Sequence, residues 1–147
     1  MTIGTQLLTH PLRLDTRTVL GWTTLAAGAL VLLFWGLYFT EPALLGQDDP
    51  LKTTFEGAFP LADLAFAGAL LGTGVLFLRR HPGAPFLLVV AAAMSLYLGV
   101  LDVTFYASHG FYTPLTPDAV TELVSNVLCI GGGTFGLRAG WDLWRSA

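Results

Sequence analysis

Residues 85–108 read PFLLVVAAAMSLYLGVLDVTFYAS, a stretch whose only charged side chain is that of Asp102. Crossing the roughly 30 Å hydrocarbon core of a bilayer takes about 20 mostly apolar residues, so this stretch predicts a transmembrane helix. Three other stretches have the same character. The predicted spans are residues 18–40, 60–79, 85–108 and 117–140. The sequence therefore predicts an all-α integral membrane protein, folded as an antiparallel four-helix bundle.

The composition agrees with this fold class. The chain has 147 residues, of which 54% are hydrophobic and 12% charged, whereas soluble domains carry about 25% charged residues. Four spans use up the length, so residues 1–147 are expected to form one domain. A net charge of −3 without any basic run gives no reason to expect a nucleic-acid partner.

The basic residues predict which way the spans are oriented. Lys52 is the only basic residue in the first and third connections, and the others flank the opposite ends of the spans. These others are Arg13, Arg17, Arg79, Arg80, Arg138 and Arg145. Cytoplasmic loops of membrane proteins are enriched in Lys and Arg, so we expect both termini in the cytoplasm and the protein in the plasma membrane. The apolar side chains of the outer loop, residues 41–59, predict a segment that lies on the membrane surface.

Prolines and glycines mark the ends and faces of the helices. Thr116-Pro117-Asp118 is typical of a helix start: an N-cap, a first-turn proline and an acid that suits the helix dipole. Gly132, Gly136 and Gly140 follow at intervals of four, a pattern that lets two membrane helices approach closely. They serve either packing within the bundle or contact with a second copy or a larger membrane complex.

Three acids fall at one depth in the predicted bundle. At 1.5 Å per residue, Asp63, Asp102 and Glu122 each lie about 5–9 Å below the outer membrane boundary. Ionisable residues at membrane depth usually face the bundle interior or a water-filled cavity, and they are candidates for function. The sequence therefore predicts an inward acidic layer near the outer leaflet.

Helical spacing adds further polar and aromatic residues to this layer. Asp102, Tyr106 and His109 stand at i, i+4 and i+7, and Asp118, Glu122, Asn126 and Cys129 form a polar stripe on the last span. The first span supplies aromatic side chains at the same depth. The predicted ligand-binding residues are Trp35, Tyr38, Asp63, Asp102, Tyr106, His109, Glu122 and Asn126.

These acids also have a purely structural interpretation. Asp63 and Glu122 lie near helix N-termini, where the dipole stabilises a negative charge. Asp102 lies in the C-terminal part of its helix, where the dipole opposes one, so it requires a partner, a bound cation or protonation. Because no His, Cys or carboxylate pair has the spacing of a known metal motif, we expect neither a metal nor another cofactor.

The leading functional hypothesis is a pocket near the outer leaflet that binds an amphiphilic or cationic small ligand, or membrane lipid. The protein would act either alone or as an accessory subunit of a larger membrane complex. Carboxylates and aromatic faces both attract cations. A second hypothesis is a membrane-embedded enzyme that transfers protons on a lipid-like substrate, with Asp102, Glu122 and His109 as catalytic candidates. A third is an oligomeric channel or a proton-coupled transporter.

Overall fold

The computed structural model describes residues 15–41 and 49–146. The rest of the predicted domain, including residues 42–48 of the predicted surface loop, lies outside the described residues. The described residues form five α-helices: α1 (Thr16–Thr40), α2 (Pro50–Glu56), α3 (Pro60–Leu78), α4 (Ala84–Ser108) and α5 (Pro117–Arg145). All but α2 are long and apolar enough to cross a membrane. This confirms the all-helical class and indicates an integral membrane protein.

Side-chain caps set where three helices begin. The Thr116 hydroxyl accepts a hydrogen bond from the Ala119 backbone N–H at 3.2 Å, which confirms the predicted start of α5. A carboxylate of Asp15 caps α1, which therefore begins two residues before the predicted span. Asp49 caps α2 in the same way. This short helix lies within the connection that was predicted to be a surface segment.

The last helix extends beyond the predicted span. The span was predicted over about residues 117–140, and α5 continues to Arg145. A Cβ atom on Gly140 would lie 2.8 Å from Val89 Cγ2 and 3.0 Å from the Pro85 carbonyl oxygen. The glycine therefore allows close packing against α4 rather than ending the helix.

The long helices pack in chain order through small residues. Between α1 and α3, a Cβ on Gly74 would lie 2.8 Å from the Gly21 carbonyl oxygen, and one on Gly28 would lie 3.1 Å from that of Ala67. The contacts pair early residues of α1 with late residues of α3. In membranes, helices associate through such close packing because lipid tails give no hydrophobic driving force.

The α4–α5 contact is built in the same way. A Cβ on Gly133 would lie 2.9 Å from the Ala92 carbonyl oxygen, and one on Gly136 would lie 2.9 Å from the Ala92 Cβ. Gly136 and Gly140 of the predicted glycine stripe thus face α4, together with Gly133. A Cβ on Gly132 would meet no atom of another helix within 4 Å among the described residues. Contact with a second copy through this stripe stays a prediction.

The order of contacts is α1, α3, α4, α5, and the described parts of α1 and α5 show no comparable packing against each other. Many large apolar side chains are exposed on the long helices, including Leu30, Leu61 and Leu128. Surfaces of this kind suit lipid as the surrounding solvent. The ends of α1, α3, α4 and α5 that lie near α2 carry the candidate site.

Candidate functional site

Polar side chains from all five helices gather at the α2 end of the molecule. We call this set the polar layer. It comprises Trp35, Lys52, Glu56, Asp63, Asp102, Tyr106, Tyr112, Asp118, Glu122 and Asn126. Most of its members are held in hydrogen-bonded or charged pairs, and each pair joins two elements of the fold.

The first pair joins α1 to α3. The Trp35 indole Nε1–H donates to Asp63 Oδ2 at 2.9 Å, and Trp35 is only 5% exposed. Asp63 lies in the first turn of α3, where the helix dipole also favours its charge. This carboxylate therefore has both the structural role and the inward position that the sequence predicts.

A second network joins α4 to α5. Asn126 Nδ2 donates to Asp102 Oδ2 at 2.6 Å and to the Tyr112 hydroxyl oxygen at 3.0 Å. The amide of Asn126, 3% exposed, thus uses both of its N–H donors. Asp102 needed a partner against the dipole of its own helix, and Asn126 is that partner.

Tyr112, which lies in the connection between α4 and α5, was not among the predicted ligand-binding residues. Burial raises the pKa of its phenol, the Asn126 hydrogen bond lowers it, and the charges of Asp102 and Glu122 raise it further. The phenol therefore stays neutral at pH 7, and its oxygen accepts the Asn126 N–H. Only its position shortly before the predicted start of α5 could have pointed to it.

A third pair attaches α2 to α4. The Tyr106 hydroxyl donates to Glu56 Oε1 at 2.8 Å, and Tyr106 is almost completely buried. Burial raises the pKa of the Glu56 carboxyl. The Tyr106 hydrogen bond and Lys52 lower this pKa, while Asp118 and Asp102 raise it. Glu56 was not among the predicted ligand-binding residues, because its sequence position placed it in the outer loop.

The cation of the polar layer comes from α2. Lys52 forms an ion pair with Asp118 in the first turn of α5. Its Nζ also lies 5.3 Å from the ring centroid of Tyr106 and 5.0 Å from that of Phe111. Lys52 was not among the predicted ligand-binding residues either. Its occurrence as the only basic residue near this end of the predicted spans was the signal that could have found it.

Glu122 differs from the other carboxylates of the layer. It is half-buried, and within residues 15–41 and 49–146 it accepts no side-chain hydrogen bond. Its carboxyl group lies near those of Asp102, Glu56 and Asp118 and near the ammonium group of Lys52. Within the described residues it is therefore the carboxylate of the layer that has no hydrogen-bonded side-chain partner.

Two predicted residues lie apart from this network. His109 is exposed, and its Nδ1 lies 2.8 Å from the Phe105 carbonyl oxygen and 3.1 Å from Ser108 Oγ. Tyr38 is buried, with its ring centroid 4.8 Å from that of Trp35. His109 thus extends an aromatic surface, and Tyr38 forms a wall beside the Trp35–Asp63 pair.

The structure shows a shallow, open groove along α4. It is lined by Tyr97, Val100, Leu101, Thr104 and Phe105, and none of the predicted carboxylates lines it. In the part of the chain that the structure describes, no group of three His, Cys, Asp or Glu residues could hold a metal ion.

The charges of the molecule are separated between its two ends. Arg79 and Arg80 follow α3 at the end away from α2, where Arg80 pairs with Asp15 at 3.2 Å. The polar layer at the other end contains carboxylates in excess of its single ammonium group. Such an arrangement can attract a cation or exchange protons between carboxyl groups.

Comparisons with known proteins leave this geometry as the basis for assigning a function. The sequence matches no protein-family model, and the searches of curated proteins and of solved structures found no match.

Proposed function

We propose that this chain is a small integral membrane protein whose polar layer binds the cationic group of an amphiphilic small ligand near the outer leaflet of the plasma membrane. The proposal includes an antiparallel four-helix bundle with both termini in the cytoplasm. The Arg-rich end then faces the cytoplasm, in agreement with the positive-inside rule, and the polar layer lies at the opposite face.

One observation carries the proposal: the imbalance of charge in the polar layer. Its carboxyl groups are Glu56, Asp63, Asp102, Asp118 and Glu122, and its only cationic side chain is Lys52. Charge at membrane depth is costly unless it is paired or hydrated. A bound cation would compensate the excess, and the apolar tail of an amphiphile would lie along the exposed apolar helices.

Glu122 is the residue on which this binding depends most. Its carboxylate has no hydrogen-bond donor among the described residues, whereas Asp63 and Asp102 accept from Trp35 and Asn126. Glu122 can therefore attract a ligand cation without giving up a side-chain hydrogen bond of its own. The substitution Glu122→Gln removes the charge and keeps the size and shape of the side chain.

Binding can be measured with octyltrimethylammonium on the purified protein in non-ionic detergent, with octanol and octanoate as uncharged and anionic controls. We expect the ammonium compound alone to raise the melting temperature, because a ligand that binds only the folded state stabilises it. Glu122→Gln should weaken its affinity about tenfold, or about 1.4 kcal/mol. The control Asp142→Asn, at an exposed position near the other end of α5, should leave the affinity unchanged. Equal stabilisation by octanol, or none by the ammonium compound, would refute the proposal.

A second candidate is proton-transfer catalysis on a lipid-like substrate. The observation in its favour is that Asp102 accepts a short hydrogen bond from Asn126 while Glu122 accepts none among the described residues. Carboxyl groups in unlike surroundings can divide the roles of acid and base. A membrane lipid extract incubated with the protein, and with Asp102→Asn as control, should then yield a new lipid species with the wild-type protein only.

A further inference from the structure

The short helix α2 contributes three side chains to the polar layer from one face. Lys52, Phe55 and Glu56 stand at i, i+3 and i+4, a spacing that places side chains together on a helix. Lys52 pairs with Asp118, the Phe55 ring stacks on Phe105 with a centroid distance of 3.6 Å, and Glu56 accepts from Tyr106. These contacts attach α2 to α4 and α5.

Among the described residues, α2 is held mainly by these contacts, together with that of the Phe55 ring on the Phe59 ring, whose centroids lie 4.7 Å apart. The helix spans Pro50–Glu56 and none of its residues is fully buried. Isolated helices shorter than about 12 residues are marginal in water, so the position of α2 depends on its contacts with the polar layer. Groups that compete for these contacts can therefore displace it.

The position of the Lys52 ammonium has the chemistry of an ammonium-binding site. A carboxylate, that of Asp118, lies on one side, and the rings of Tyr106 and Phe111 lie at 5.3 and 5.0 Å. Charge and ring faces together are the means by which proteins bind amines and quaternary ammonium groups. The Lys52 side chain is only 13% exposed, so its ammonium is largely removed from solvent.

We propose that this position is the ammonium subsite of the ligand site, and that Lys52 is a tethered occupant which an amphiphile with a primary or quaternary ammonium group displaces. This inference rests on the proposed function and identifies the ligand class. Displacement releases the Lys52 contact and loosens α2 from α4 and α5. A free ligand can bind only while Lys52 is out of the subsite. The apparent Kd is therefore the intrinsic Kd divided by the fraction of time during which the subsite is open.

The substitution Lys52→Met tests the competition, because it keeps an unbranched apolar side chain and removes the charge. With the subsite about 10% open in the wild type, we expect Lys52→Met to tighten the apparent Kd for octyltrimethylammonium about tenfold. Lys52→Arg keeps a cation and should show no such gain. The control Arg79→Met removes an exposed cation at the other end of the molecule and should leave the Kd unchanged.

A second measurement uses the wild-type protein, so it does not depend on the folding of any variant. Lys52 is the only lysine of the chain, and an acylating reagent modifies it and the terminal amine, which peptide mass spectrometry separates. We expect octyltrimethylammonium to increase the acylation rate of Lys52 several-fold, because the displaced amine reaches water. Octanol at the same concentration should not change this rate.

The outcomes separate the two proposals. If neither the wild type nor Lys52→Met binds the ammonium compound, the proposed function fails and the inference fails with it. If the wild type binds it, but Lys52→Met binds it no more tightly and Lys52 acylation is unchanged or slower with ligand, the inference alone is overturned. Tighter binding together with faster acylation supports both.

Discussion

Replacing Asn126 by leucine should destabilise the protein by about 2 kcal/mol. Leucine has nearly the same size, so the change removes two hydrogen bonds and little packing. The lost bonds are the 2.6 Å donation to Asp102 and the 3.0 Å donation to Tyr112. A bond to a charged acceptor contributes about 1.5–3 kcal/mol and a neutral one about 0.5–1.5 kcal/mol in proteins. Interhelical hydrogen bonds in membranes contribute less, about 0.6 kcal/mol on average and at most about 1.7 kcal/mol. For the two bonds of Asn126 together we therefore expect about 2 kcal/mol, near the lower end of the values for soluble proteins.

The assay is reversible unfolding in mixed micelles, with Ser125→Ala as the matched control. Ser125 is the exposed neighbour of Asn126 on α5, and its substitution should change the free energy of unfolding by less than about 0.5 kcal/mol. A double-mutant cycle with Asp102→Leu should give a coupling energy of at least about 0.5 kcal/mol, since the two side chains are in contact. A loss for Asn126→Leu no larger than for Ser125→Ala, with no coupling, would refute the assignment of this network.

Three further predictions concern pH, packing and orientation. Because the pKa of Glu56 is raised in the folded state, the folded state binds more protons there, and stability should fall as pH rises above the ordinary glutamate pKa. Glu56→Gln keeps the oxygen that accepts from its tyrosine partner and should flatten this slope; an unchanged slope would contradict the prediction. Gly140→Ala places a Cβ against α4 and should cost about 1–3 kcal/mol of unfolding free energy. Gly132→Ala adds a Cβ that meets no atom of another helix within 4 Å among the described residues, so it should not destabilise the protein. Equal effects of the two substitutions would contradict this packing. The orientation can be tested in a background without the native cysteine, by treating intact cells with a membrane-impermeant maleimide. We expect Asp49→Cys to be labelled and His81→Cys not to be labelled. The reverse labelling would contradict the proposed orientation.

The helices were predictable because membrane thickness and capping chemistry act locally. Span positions followed from the length of the apolar stretches, and Thr116 marked the start of α5. The surface that the glycine stripe meets was not predictable in this way, since Gly136 and Gly140 could pack within the bundle or against a second copy. Only the neighbouring backbone of α4 shows that they pack within it. Likewise, one helical position separates Gly132 from Gly133, and the rotation of α5 determines which of them meets α4.

The candidate site was predictable in part for a related reason. The depth of Asp63 and Asp102 along their helices suggested a shared layer, and the unfavourable dipole at Asp102 required a partner. Sequence spacing within one helix gave no indication that Lys52 would reach Asp118. That contact depends on where α2 lies relative to α4 and α5, and such a placement has no periodic signal.

The central claim is that the polar layer binds the cationic group of an amphiphile, and an anomalous-scattering analogue tests it most directly. Crystals of the Lys52→Met protein grown with octyltrimethylarsonium should show an arsenic peak next to Asp118 and the rings of Tyr106 and Phe111, within reach of Glu122. An arsenic peak only on the lipid-facing surfaces of the long helices, or none with the compound present in excess, would contradict the claim.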